Sequence, residues 1–87
     1  MSNEMFAAIQ TIRENELAYR AFELIKRASG TLSGWDLTRS LEIDPESASE
    51  VLRNLKAVGV VKSSGEGLEG YYYLTDLGFK LRFMQAA

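Results

Sequence analysis

At 87 residues, with 46% apolar and 25% charged side chains, the chain has the size and composition of one folded domain rather than a disordered or multidomain protein. It contains neither cysteine nor histidine, which excludes disulfides and thiolate chemistry, and leaves no reason to expect a metal centre, a cofactor or a catalytic acid–base site. Ten Lys and Arg against twelve Asp and Glu give a net charge of -2, so any nucleic-acid contact must rest on local rather than total charge.

No apolar run approaches the ~20 residues of a membrane span. The opening Met1-Ser2-Asn3-Glu4 has no basic segment leading into an apolar stretch. A cytoplasmic protein without membrane attachment is therefore expected.

Residues 1–28 read as an N-terminal helical region. Met5, Ile9 and Ile12 keep one apolar stripe at helical spacing, and Leu17, Ala21, Leu24, Ile25 and Ala28 keep another, with Phe22 beside it. Asn15 between them is suited to cap a new helix, so one long helix and two shorter ones both fit. Ser29-Gly30 ends the segment, since glycine takes the left-handed conformation that closes helices.

Residues 33–41 form the next predicted helix. Ser33 and Asp36 have the spacing of a capping box, and Leu37 and Leu41 share a face. Glu42-Ile43-Asp44 reads as a tight turn. Asp44-Pro45 then starts a helix over 45–58, because the carboxylate accepts from orphan backbone donors and proline lacks a donor that would go unused. Ala48, Val51, Leu52, Leu55 and Val58 make its apolar face; Ser47, Glu50 and Asn54, flanked by Ser49, Arg53 and Lys56, make the opposite one.

Gly59 closes that helix. Residues 60–64 and 70–74 are rich in β-branched and aromatic side chains and read as two strands around the tip Gly65-Glu66-Gly67-Leu68-Glu69. In the run Tyr71-Tyr72-Tyr73 the outer two side chains point to one face and the middle one to the other, and packing is the expected use of all three. Thr75 caps a final helix over residues 76–85, within a C-terminal segment 75–87. The predicted fold is mostly α with a small antiparallel β-hairpin.

This order resembles the winged helix-turn-helix. Residues 36–43 are similar to the first helix and turn of bacterial and archaeal winged-helix regulators, and residues 51–61, from Val51 to Val61, to the end of their recognition helix. Tyr72-Tyr73-Leu74-Thr75-Asp76-Leu77-Gly78 resembles the Y-x-L-T-x-x-G step that closes the wing in the MarR, ArsR and PadR families. The resemblance implies a single winged-helix domain over 1–87, with the helix-turn-helix at 33–58 and the wing at 60–74. It also implies a DNA-binding transcriptional regulator whose partner is double-stranded DNA.

On that resemblance Ser47, Ser49, Glu50, Arg53 and Asn54 fall where bases or phosphates are read, and Lys62, Ser63 and Ser64 where a wing touches the backbone. Arg39, Arg53, Lys56 and Lys62 are the expected phosphate contacts. The flanking helices commonly form a two-fold interface in that superfamily, which points to Met5, Phe6, Ile9, Ile12, Phe79, Phe83 and Met84 as homodimer contacts. Residues 44–69 hold five acids (Asp44, Glu46, Glu50, Glu66, Glu69) and three bases (Arg53, Lys56, Lys62), and this balance suits an alternative: a winged helix that contacts a protein partner and no DNA.

Overall fold

In the computed structural model, residues 3–85 are described, for Glu4 and residues 82–85 by backbone alone. Two helices, α1 (Asn3–Glu14) and α2 (Glu16–Ala28), precede a two-residue strand β1 (Leu32–Ser33). Helices α3 (Gly34–Leu41) and α4 (Pro45–Ala57) follow, joined by a three-residue turn, then strand β2 (Val61–Ser64), a 3-10 turn (Gly67–Glu69), strand β3 (Tyr71–Leu74) and helix α5 (Asp76–Gln85). Among the described residues no helix is long and apolar enough to cross a membrane.

Local chemistry explains where the helices begin and end. The N-terminal region is two helices, because Asn15 sits in extended backbone and accepts from the Ala18 N–H at 3.1 Å, which starts α2. Ser29 takes a left-handed conformation (φ 52°) at the end of α2, one residue before the expected Gly30, which follows with φ 87°. The capping box at α3 is formed: the Asp36 N–H donates to Ser33 Oγ at 3.1 Å, and the Ser33 N–H donates to Asp36 Oδ2 at 3.0 Å. Asp44 accepts from the Ser47 N–H at 3.1 Å with Pro45 in the first position of α4, and Val58 caps the other end.

The sheet has three antiparallel strands in the order β1-β3-β2, where a two-stranded hairpin was expected. The extra strand exists because Leu32 and Ser33 pair with Tyr72 and Tyr71, far along the chain. On the other side of β3, Val61 pairs with Leu74 and Lys62 with Tyr73. Tyr72 is buried and its hydroxyl donates to the Gly67 carbonyl at 2.8 Å, while Tyr73 is half-buried and Tyr71 is 50% exposed. Burial pushes the Tyr72 phenol above its ordinary pKa.

The tip of the hairpin is seated on α3. The Gly34 N–H donates to the Gly70 carbonyl at 3.0 Å, and a Cβ at Gly34 would lie 2.5 Å from the Leu68 Cα. Only glycine admits so close a backbone at that point. Leu68 itself is half-buried against the core.

One core joins every layer. Phe22 and Ile25 of α2, Leu37 of α3, Leu52 and Leu55 of α4, Val60 just before β2, and Leu81 of α5 are all at most 2% exposed. Each contributes about 1.5–3 kcal/mol by leaving water. Ala8 and Ile12 bring α1 into the same cluster, and α1 also packs against α5.

The caps carry a pH dependence. The Ser33 and Ser47 donors hold the Asp36 and Asp44 carboxyls below their ordinary 3.8, led by the Ser33 N–H for Asp36 and the Ser47 hydroxyl for Asp44. A carboxyl that binds its proton less tightly when folded adds stability above the unfolded value, and that stability is lost as the pH falls below it. The urea midpoint of the Asp36→Asn, Asp44→Asn double variant should therefore shift less than that of the unmodified chain between about pH 5 and about pH 3. Equal shifts in both proteins would remove the caps as the source.

Candidate nucleic-acid interface

Helix α4 has one buried and one open side, set by its spacing. Ala48, Val51, Leu52 and Leu55 are buried, which turns Glu46, Glu50, Arg53 and Ala57 to solvent. The remaining polar residues lie on two margins. Ser49 and Lys56 flank the open side toward β2, where Lys56 Nζ donates to Ser63 Oγ at 3.2 Å. Ser47 and Asn54 flank it toward the start of α2, where they border a shallow cleft of about 150 Å³ with Asn15, Leu17, Glu50 and Val51.

The residues expected to touch DNA thus lie on α3, on α4 and on the strand beside it, but several already have partners within the chain. Arg39 is 2.6 Å from Asp36 Oδ1 with its side chain 70% exposed. Lys62 Nζ sits 5.5 Å from the centre of the Tyr73 ring, its cross-strand neighbour. Ser47 Oγ donates to Asp44 Oδ1 at 2.6 Å, and Ser63 Oγ donates to the Gly65 carbonyl at 2.9 Å. Ser64 is exposed at the end of β2, in register with Tyr71. Among the described residues Glu50, Arg53 and Asn54 carry no such tie and are exposed; Ser49 is half-buried.

Electrostatically the open side is mixed. Arg53 is the one base on it with its full charge uncommitted, and it lies on the same side of the helix as Glu46 and Glu50, three residues beyond Glu50. Glu66 and Glu69 remain exposed at the hairpin tip. The Arg39–Asp36 pair is exposed and screened by solvent, so an incoming phosphate can displace it at little cost.

The apolar surface expected to bind a second copy is narrower than the sequence suggests. Ile12 is fully buried in the chain's own core and belongs to no partner surface. Its stripe points inward because Ala8 and Ile12, one turn apart, meet the core cluster. Met5 and Ile9 are half-buried against the same core, while Phe6 is 61% and Phe79 45% exposed. The side chains of Phe83 and Met84 lie outside the described residues.

The interface roles of three positions escaped the sequence reading. Asn15 and Leu17 wall the cleft beside α4, a relation that only tertiary packing creates. Asp36 neutralises Arg39, and the i,i+3 spacing of that pair was a readable signal. The chain matches no family model, no curated protein and no solved structure.

Proposed function

We propose that the chain is a winged helix-turn-helix transcriptional regulator that binds double-stranded DNA as a homodimer on a pseudo-palindromic site. The observation that carries this reading is the open polar side of α4, presented after a three-residue turn and flanked by β2. A helix so placed fits the major groove, with the neighbouring strand along the phosphate backbone. The element order and the β1-β3-β2 sheet support the same reading. In this arrangement Arg39, Arg53, Lys56 and Lys62 contact phosphates, and Met5, Phe6, Ile9 and Phe79 contribute to the contact between copies. It is the reading of a cytoplasmic regulator and assigns no enzymatic step.

A second reading has its own support. Glu46, Glu50, Glu66 and Glu69 are exposed around α4 and the hairpin tip, while Arg39, Lys56 and Lys62 have partners within the chain. That surface suits a protein partner in place of DNA.

Titration of a labelled random duplex from about 50 to about 200 mM salt separates the two. Four phosphate contacts give a log–log slope of about -3 to -4 per chain, and Arg53→Ala lowers its magnitude by about 1. Sedimentation of the complex should find two chains on one duplex. Negligible, salt-independent affinity would refute the regulator and leave the protein-interaction module; one chain per duplex would refute the dimer.

A further inference from the structure

The two margins of α4 differ in hydrogen-bonding character. Toward β2 lie Ser49 and Lys56, with Arg53 leaning to the same side, and the two bases only donate. Toward the start of α2 lie Ser47, Glu50 and Asn54, bordering the cleft of about 150 Å³. This second margin is rich in acceptors. Ser47 has committed its proton to Asp44 at 2.6 Å, so its oxygen offers lone pairs alone. Glu50 is exposed and, among the described residues, has no ion pair or hydrogen bond, so its carboxylate accepts and never donates. Asn54, one turn on, is equally unengaged and supplies both an acceptor and donors.

We propose, building on the DNA-binding reading above, that this acceptor margin selects base pairs by their amino groups and that Glu50 is the specificity-determining residue. Glu50 accepts from the N4 amino group of cytosine, and Asn54 pairs with the N6 and N7 edge of adenine. Arg53, on the opposite margin, holds the backbone and fixes which way α4 turns in the groove. The carboxylate also works by exclusion. Set against guanine O6 and N7, thymine O4 or a phosphate, it meets only other acceptors and loses its water without replacement. A chain of net charge -2 therefore binds random duplex weakly and concentrates its affinity on sites that place a C·G pair opposite Glu50.

The test is selection of bound duplexes from a library with a randomised window, using the full chain and its Glu50→Ala and Glu50→Gln variants. The unmodified chain should enrich cytosine at one position of each half-site. Glu50→Ala should flatten that position by about tenfold, the equivalent of a single good base contact, and bind random duplex more tightly. Glu50→Gln should move the preference toward adenine at the same position. A position unchanged in both variants, or one enriched in guanine or thymine, overturns the assignment while leaving DNA binding intact. Failure of the unmodified chain to retain any duplex at about 50 mM salt overturns the DNA-binding reading together with it. A Lys- and Arg-rich peptide held by the unmodified chain and released by Glu50→Gln, under conditions where no duplex is held, transfers the margin to protein recognition.

Discussion

Phe22→Ala should lower the stability of the chain by about 3–5 kcal/mol, the usual loss for truncating a fully buried phenylalanine. Phe22 is 0% exposed at the centre of the shared core, where α2 meets the other elements. A domain of this size has about 4–13 kcal/mol in total, so the variant keeps a fraction of its margin or none. Thermal unfolding followed by circular dichroism should show a midpoint lower by roughly 15–30 °C. A loss below about 1 kcal/mol would mean that the core is not organised around this ring.

The second large effect is expected from the smallest change. At Gly78, in the first turn of α5, an added Cβ would collide with the Val60 carbonyl oxygen and approach Leu74 Cβ and Cδ2 to 3.2 Å. The same carbonyl accepts from the Thr75 N–H at 3.0 Å, and Thr75 Oγ1 in turn accepts from the Gly78 N–H at 3.1 Å and donates to the Gly59 carbonyl. These bonds lock the start of α5 to the end of α4. Alanine is the better helix former by about 1 kcal/mol. The clash should nevertheless win, and Gly78→Ala should cost about 1–3 kcal/mol in urea denaturation. Lys80→Ala, exposed on the same helix, provides the contrast and should stay within about 0.5 kcal/mol of the unmodified chain. A stabilised Gly78→Ala variant would show that α5 shifts freely on its neighbours.

What the amino-acid order made readable was local. The Asp44-Pro45 start of α4, the Ser33–Asp36 box and the cap at Thr75 each involve groups within three residues of one another, and all of them are formed. The apolar face of α4 was equally plain from its spacing. Strand β1 was not, because two residues have no periodicity and become a strand only through Tyr71 and Tyr72. The break at Asn15 stayed open for a different reason: the stripes on both sides have helical spacing, and one hydrogen bond decides between them. Ile12 shows a further limit, since spacing identifies a stripe without saying whether it faces the chain or a partner. Of the candidate interface, residue types and their faces were legible; the engagement of Lys56 by Ser63 required β2 to lie beside α4, and that of Lys62 by Tyr73 required the register of β2 on β3.

The seating of the hairpin tip on Gly34 has a consequence for recognition. A free arm loses chain entropy of about 1–2 kcal/mol per residue when a complex fixes it. Here Leu68 and Gly70 are held before anything docks, and Lys56 ties the neighbouring strand to α4. Whatever binds meets a contour already set, so association draws on charge and shape with little freezing of the loop to offset.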